Sequence, residues 1–461
     1  MKKHYHFVGI GGIGMSGIAL IMLRKGLAVS GSDLKTGPLT DELAKQGARI
    51  FIGHAGVNIS GADIVVYSSA VKEDNPEIIA ARAQNIPVIK RGQALAELML
   101  DKAVITVTGS HGKTTTASLI SFMLEAAGLC PTCAIGGILK NIEKNALCGN
   151  GKFFVAEADE SDGSFLYYHP EYSVITNIDR EHLDYYRDFS AEIKAFSDFI
   201  NQTENNGCVF ACADDANLMN IIKNCKQRRI TFGLKPEADI FAKNIKLDGL
   251  NSEFDCFYKN KFVSRFFLAL AGEHNVSNAL SVIALGLELG INIGVIRKTL
   301  SDYRGSGRRM EVKFRGKDYL VIDDYAHHPT EIKATLAALK SLNPRRLVAA
   351  FQPHRYSRTQ LLLDEFGQCF GAVDLLAITD IYAAGEQPID GINARSIYDK
   401  VKKYFPLQNV EFIPKENLAR YILDNLRAGD LIVTLGAGDI TKISDEVARE
   451  IKTRMEANVS A

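Results

Sequence analysis

The chain has 461 residues, well past the roughly 250–300 at which a single hydrophobic core stops growing, so more than one domain is expected. Lys+Arg and Asp+Glu balance at 54 each, which argues against bulk electrostatic attraction to nucleic acid or to an anionic membrane. With 46% hydrophobic and 23% charged residues, the composition is that of a globular protein in water.

The segment from His4 to Leu23 carries no Asp, Glu, Lys or Arg and follows Lys2 and Lys3, the outline of a signal peptide or membrane helix. Gly9, Gly11, Gly12, Gly14 and Gly17 interrupt it too often for a continuous helix, and no small-x-small cleavage site follows. The pattern predicts a buried strand over 5–10, a glycine-rich turn and a helix over 16–25, with no membrane insertion. Strand-like and helix-like runs then alternate through 28–33, 39–46, 64–67, 76–84 and 88–89, the rhythm of an open parallel sheet. A second start is the β-branched run 103–108, followed by a glycine turn and a helix over 115–127. Strands are expected at 153–157, 172–176, 209–213 and 229–231, antiparallel structure over 241–269, and a helix over 275–289. After Arg304-Gly305-Ser306-Gly307 a third rhythm places strands at 319–322, 347–351, 375–379, 410–413 and 430–435. The fold class is therefore α/β in three domains, expected at 1–98, 99–304 and 305–461: Rossmann-like, central P-loop ATPase-like, and again Rossmann-like. Cys130-Pro131-Thr132-Cys133 has redox spacing but follows a helix where a redox pair opens one. No second pair completes a zinc site, so the eight cysteines are expected to be buried free thiols.

Gly109-Ser110-His111-Gly112-Lys113-Thr114-Thr115 lies between a predicted strand and helix. Such a unit aims backbone N–H groups and the helix dipole at an anion. Lys113 can reach the β- and γ-phosphates of a nucleotide, and the Thr114 hydroxyl can hold Mg²⁺. The loop is a shortened one, with Val107 where the usual first glycine stands. Gly9-Ile10-Gly11-Gly12-Ile13-Gly14 with Asp33 beyond has the parts of a dinucleotide fingerprint, which accepts NAD or any diphosphate joined to a ribose, including a UDP-sugar.

The apolar run 153–156 ends in Glu157-Ala158-Asp159-Glu160-Ser161-Asp162, and the run 172–178 ends in Asp179-Arg180-Glu181-His182-Leu183-Asp184. Acids so crowded need a metal or cationic ligand, so Glu157 and His182 are candidates for Mg²⁺ beside ATP. Asn275 and Asn278, one turn apart, suit a purine edge, or simply cap a helix. Arg308 and Arg309 suit phosphoryl charge or a solvated turn. Asp323-Asp324-Tyr325-Ala326-His327-His328 and Gln352-Pro353-His354-Arg355-Tyr356-Ser357-Arg358 each follow a strand, at the edge where open α/β sheets bind ligands.

Together these segments resemble the Mur ligases of bacterial cell-wall synthesis: GIGGIGMSGIA (9–19), YSSA (67–70), TGSHGKTTT (108–116), AEADESDGSF (156–165), TNIDREHLD (176–184), GEHNVSNA (272–279), GSGRRME (305–311), DDYAHHPTE (323–331) and FQPHRYSRT (351–359). The short phosphate loop is the form this family uses. Departures are mild, such as Ser110 where Thr is common and Ala326 where Gly is common.

The pattern is most similar to the member that joins L-alanine to the lactyl carboxylate of UDP-N-acetylmuramate. The resemblance implies UDP-sugar binding in domain 1 (Gly11, Gly12, Ile13, Gly14, Asp33, Ser68, Ser69) and ATP in domain 2 (Gly109 to Thr115, Asn275, Asn278), with Asp324 approaching the ATP ribose. It implies one Mg²⁺ on Thr114 and Glu157 and a second on His182, Lys113 and Arg308 or Arg309 at the phosphates, and L-alanine among Tyr325, His327, Arg355 and Arg358. His327 or His328 would take the amine proton, after an acyl phosphate has formed. Domain closure about Gly305–Gly307 is also implied. Rival readings are the recycling ligase that adds a tripeptide to the same UDP-sugar and, from another class, an NAD-dependent dehydrogenase. The expected partners are small molecules; monomer and homodimer both remain open, and a cytoplasmic location is expected.

Overall fold

The computed structural model describes residues 2–182 and 185–460. Leu183 and Asp184, the end of the TNIDREHLD run, lie outside the described residues. The first sheet has five parallel strands in the order β3-β2-β1-β4-β5: β1 (His4–Val8), β2 (Ala28–Asp33), β3 (Arg49–Ile52), β4 (Ile64–Tyr67) and β5 (Val88–Lys90). Helices α1 (Ile13–Arg24), α2 (Pro38–Lys45), α3 (Pro76–Ala83) and α4 (Arg91–Met99) accompany it. The order reverses between β1 and β4, which is where such sheets open a crevice for ligands. The uncharged N-terminal run is thus a strand, a turn and a helix, and no described helix is long and apolar enough to cross a membrane.

The second sheet is built on β6 (Ala103–Thr108), which leads through the phosphate-loop candidate into α5 (Lys113–Ala126). After β7 (Thr132–Leu139) and β8 (Lys144–Leu147) come β9 (Phe153–Glu157), β10 (Tyr172–Ile175), β11 (Cys208–Cys212) and β12 (Arg228–Gly233). Then follow β13 (Ile240–Asp248), β14 (Asn251–Tyr258) and β15 (Lys261–Leu268). The order is β15-β14-β13-β12-β11-β10-β6-β9-β7-β8, so β6 lies between β10 and β9, both parallel to it. Two-residue connections join β13 to β14 and β14 to β15, short enough only for antiparallel neighbours. The central strands are buried on both faces, which is why they read as unbroken apolar runs such as Ile105, Val107, Phe154, Val155, Val174 and Phe210.

The third sheet contains β16 (Glu311–Arg315), β17 (Tyr319–Asp324), β18 (Arg346–Phe351), β19 (Leu375–Ile378), β20 (Asn409–Phe412) and β21 (Asp430–Leu435), in the order β16-β17-β21-β18-β19-β20, with β16 alone antiparallel to its neighbour. Apolar side chains bury both faces, Leu347, Phe351, Phe366 and Phe370 on one and Val348, Leu418, Ile432 and Val447 on the other.

By contacts the chain forms two compact units. The first is Met1–Asn244 with Phe254–Leu268 and Asn275–Arg304, and it holds the first sheet and the second apart from the residues of β13 and β14 within 245–253. The second is Gly305–Ala461 with Ile245–Glu253 and Ala269–His274. The cysteines depart from expectation in one respect: all eight are free thiols, but Cys130 and Cys148 are exposed. They flank the β7–β8 hairpin at its open end, beyond the reach of the core.

Candidate functional site

In the first unit the carboxyl ends of β6, β9 and β10 converge because the three strands are parallel neighbours. Gly109 and Gly112 take φ of +125° and +87°, a conformation side-chain-bearing residues rarely adopt. A Cβ on Gly109 would also lie 2.3 Å from the Thr176 hydroxyl. The loop between them is braced by the end of β10. Ser110 N donates to the Asn177 carbonyl (3.1 Å) and His111 N to Asn177 Oδ1 (2.9 Å). The Thr176 hydroxyl and Asn177 Nδ2 both donate to the His111 carbonyl, and His111 Nε2 meets Asp179 Oδ2 at 3.0 Å. A loop too short for the usual phosphate-binding pattern is thus held by its neighbour strand.

Lys113 turns back over this loop. Its ammonium donates to the Gly109 carbonyl (2.6 Å), the Ser110 carbonyl (3.2 Å) and Glu160 Oε1 (2.7 Å). Burial alone would lower its pKa, but the Glu160 and Asp159 carboxylates hold it above the ordinary lysine value. Beside it the Thr114 hydroxyl donates to Glu157 Oε2 (3.1 Å), while Gly136 N donates to Glu157 Oε1 (2.6 Å).

His182 (φ +55°) stands with Glu160 and Glu181, 3.4 Å from each. The ligand atoms of Glu160, Glu181 and His182 lie within 4.8 Å of one another. Burial would lower the His182 pKa, yet its hydrogen bonds to the two acids push it up to about 10. Glu160 is wholly buried and its Oε2 has no hydrogen-bond partner, a costly arrangement unless a cation completes it. That orphaned oxygen makes the cluster fit a divalent cation. Asn278, on the helix Glu273–Glu288, packs against the loop, its Oδ1 2.7 Å from where a Gly112 Cβ would stand, and Asn275 lies 3.4 Å from it.

At the first sheet, Gly11 N donates to Asp33 Oδ2 (2.8 Å), so the predicted ribose carboxylate also closes the glycine turn. Gly12 is the N-cap of α1. Ser68 and Ser69 follow β4, across the order reversal from β1. A residue the sequence had not signalled joins the two regions. Arg91, the first residue of α4, places Nη1 2.5 Å from where a Gly14 Cβ would be and donates through Nη2 to Asp159 Oδ2 (2.9 Å). Against the upward push of burial, Arg91 and Lys113 hold the Asp159 carboxyl far below the usual range.

The second unit carries its own polar cluster at the ends of β17, β18 and β21. Arg308 is spent on the fold: Nε reaches Asp323 (3.1 Å), and its other nitrogens donate to the carbonyls of Gly436, Ala437 and Gly438. Arg309 makes a longer pair with Glu331 (3.5 Å). Both guanidinium groups lie about 5 Å from the Tyr325 ring (4.9 and 5.1 Å). The His327 ring meets Tyr325 and His354 edge-on, and His354 stacks on Tyr382. Burial, and then the positive groups around it, push the His354 pKa down to about 2, so it accepts from Arg358 Nη1 (3.2 Å). Arg355 (φ +69°) donates its N–H to the Tyr382 carbonyl. His328 caps the helix Pro329–Lys340, accepting from Thr330 N, while Glu331 receives the backbone N–H groups of His327 and His328. Of the two histidines proposed for proton transfer, His327 faces the aromatic and arginine cluster and His328 is tied into a helix start. Asp324 accepts from Met310 N and Ala326 N (2.8 and 2.7 Å), which fixes the turn on either side of Tyr325.

Three family models cover most of the chain: Mur ligase family, catalytic domain, over residues 4–103; Mur ligase middle domain over 107–286; and Mur ligase, glutamate ligase domain, over 308–438. The chain is 46% identical over 448 residues to a UDP-N-acetylmuramate–L-alanine ligase of Geotalea uraniireducens, covering 97% of this chain and 98% of the relative. It is similar in structure to a UDP-N-acetylmuramate-alanine ligase of Thermotoga maritima (TM-score 0.84, 30% identity, 98% and 99% covered). A murein peptide ligase of Psychrobacter arcticus is more distant in shape (TM-score 0.73, 25% identity, 97% and 98% covered).

Two outcomes follow from the second unit's geometry. Arg308→Ala strands the buried Asp323 carboxylate and three carbonyls, so it should destabilise that unit by about 3–5 kcal/mol, whereas Arg309→Ala should change stability by less than about 1 kcal/mol. Equal losses in denaturant unfolding would contradict the division between them. Burial pushes the Asp324 carboxyl up to about 6, against the pull of Arg309 and its backbone donors. Its folded pKa lies above the unfolded value of about 3.9, so the protonated form's contribution, on the order of 3 kcal/mol, is present below that value and lost as pH rises to about 6. A carboxyl-carbon NMR titration of Asp324 should show a midpoint near pH 6; one near pH 4 would refute the assignment.

Proposed function

Because the chain belongs to the Mur ligase family, we propose that it joins L-alanine to the lactyl carboxylate of UDP-N-acetylmuramate, with ATP converted to ADP and phosphate through an acyl phosphate. The observation that carries this reading is the Lys113–Glu160 pair set on a braced glycine loop beside the Thr114–Glu157 pair. Such a loop with a buried ammonium is built to hold a triphosphate and to neutralise charge on a transferring phosphoryl group.

In this reading Lys113 leaves its loop carbonyls for the phosphates, and the loop Gly109 to Thr115 cradles them with N–H groups other than those of Ser110 and His111, which Asn177 takes. Thr114, Glu157, Glu160, Glu181 and His182 would hold Mg²⁺, which when bound supplies positive charge to phosphate and carboxylate oxygens. Asn275 and Asn278 face adenine and Asp324 its ribose. The turn Gly11–Gly14 with Asp33, Ser68 and Ser69 takes the UDP-sugar, and Arg91, beside Gly14, adds a cation for its anionic end. Tyr325, Arg355 and Arg358 receive L-alanine, the arginines pairing with its carboxylate, and His327 accepts the amine proton. Arg309 is the phosphate-directed member of its pair, with Arg308 holding the loop Gly436–Gly438. The three domains are taken as 1–98, 99–304 and 305–461, and the enzyme works in the cytoplasm.

Purified protein should release phosphate only when ATP, Mg²⁺, UDP-N-acetylmuramate and an amino acid are all present. Among L-alanine, glycine, L-serine and the L-Ala-γ-D-Glu-diaminopimelate tripeptide, L-alanine should be preferred. Lys113→Ala should cut turnover by about a thousandfold or more, as for a group that acts on the transition state, and should also lower stability by several kcal/mol through the unpaired Glu160. Preference for the tripeptide, or near-normal turnover in Lys113→Ala, would sink the reading.

A further inference from the structure

The start of α1, where the glycine turn becomes helix, is held from three sides. Asp33 closes the turn from β2 through Gly11 N, and Arg91 of α4 stands beside Gly14. The third hold comes from the second sheet. Asn145, on β8, is buried and donates through Nδ2 to the Ile13 carbonyl (2.7 Å) and to the Ser16 hydroxyl (3.0 Å). Ser16 donates in turn to the same Ile13 carbonyl (3.1 Å), so one amide closes a ring with the first turn of the helix. The approach depends on Gly17, where a Cβ would lie 3.4 Å from Asn145 Nδ2 and 3.6 Å from the Ala146 methyl.

Asn145 sits where its hairpin is irregular. Strands β7 and β8 pair at Ala134–Ala146 and again at Leu139–Lys144, which leaves Ile135 to Ile138 opposite Asn145 alone. A bulge of this kind re-aims the groups on either side of it. On the β7 side Gly136 N is turned onto Glu157 Oε1 (2.6 Å), and on the β8 side Asn145 is turned onto α1. Gly136 reaches Glu157 through its backbone, whereas α1 is reached through a side chain that can be removed.

What Asn145 holds matters to a ligand because of where α1 begins. Gly12 is the N-cap and no side chain caps the helix there. The N–H groups of its first turn therefore have no partner within the helix and are available to an anion on the turn. Their aim follows the Ile13 peptide, which Asn145 fixes. Donors already aimed bind more tightly than donors that must be ordered on binding. Both amide hydrogens of Asn145 are taken by α1, so its effect on a ligand passes through that helix.

We propose that Asn145 is a positioning residue for the UDP-sugar, through which the second sheet sets the diphosphate-binding start of α1. This rests on the reading of the turn Gly11–Gly14 as a UDP-sugar site. The amide acts on the binding of that substrate and not on phosphoryl transfer at Lys113.

The test is steady-state kinetics of the full chain, with each substrate varied in turn and the others saturating. Asn145→Leu keeps the branched shape without hydrogens to donate. It should raise the KM for UDP-N-acetylmuramate by about tenfold, with kcat and the KM values for ATP and L-alanine changed by less than about twofold. Asn145→His should recover most of the loss, because an imidazole Nδ1–H stands where the amide N–H stood. Ser16→Ala keeps the bond to Ile13 and should raise the same KM by about threefold. The positioning role is overturned by an unchanged KM for the UDP-sugar in Asn145→Leu or, should that variant not fold, in Ser16→Ala. An equal rise in the KM for ATP, or Asn145→His as impaired as Asn145→Leu, would also overturn it. Failure of the unaltered protein to turn over UDP-N-acetylmuramate would overturn the UDP-sugar reading itself.

Discussion

Lys113 brings a full positive charge under the first unit's central sheet edge, and the arrangement around it depends on that charge being matched. An unpaired ammonium at this depth would cost several kcal/mol, and Glu160, wholly buried, would cost as much without Lys113. The same balance extends outward. Glu157, Asp159, Glu160 and Glu181 crowd the segments that follow β9 and β10, on either side of β6, and Lys113, Arg91 and His182 are interleaved with them. Removal of one cation leaves an acid in low dielectric, so the cluster is stable only as a set. Glu160 Oε2, buried with no hydrogen-bond partner among the described residues, is where an incoming cation changes the balance most.

The loop that carries Lys113 is rigid for a different reason. Beyond the Lys113 ammonium, the hydrogen bonds that hold its shape come from outside the loop, with the Ser110 and His111 N–H groups donating to Asn177. Thr176, Asn177 and Asp179 supply them from the next strand. In the second unit Arg308 has the equivalent structural task, tying three carbonyls of the turn after β21 to Asp323, with the Tyr325 ring beside its guanidinium.

Much of this was legible in the residues. The strands that form the centre of each sheet are buried on both faces and read as apolar runs, and the candidate groups at their ends were found by following those runs. Strands β3, β7 and β16 were missed because they lack that signal: β3 is half exposed, β16 alternates charged and apolar residues, and β7 contains two glycines that read as a turn. Arg91 opens a helix with no glycine or acid nearby in sequence, and its meaning lies wholly in its proximity to Gly14 and Asp159, which are remote along the chain. The pairing of His182 with Glu160 and Glu181 likewise depends on a left-handed residue that no local pattern announces.

The central claim is that this charge-matched loop activates a carboxylate by making it an acyl phosphate. The most direct measurement uses UDP-N-acetylmuramate labelled with oxygen-18 in the lactyl carboxylate, incubated with ATP, Mg²⁺ and L-alanine. The account predicts that the released phosphate carries one labelled oxygen from the substrate. Phosphate released without label, alongside amide product, would contradict it.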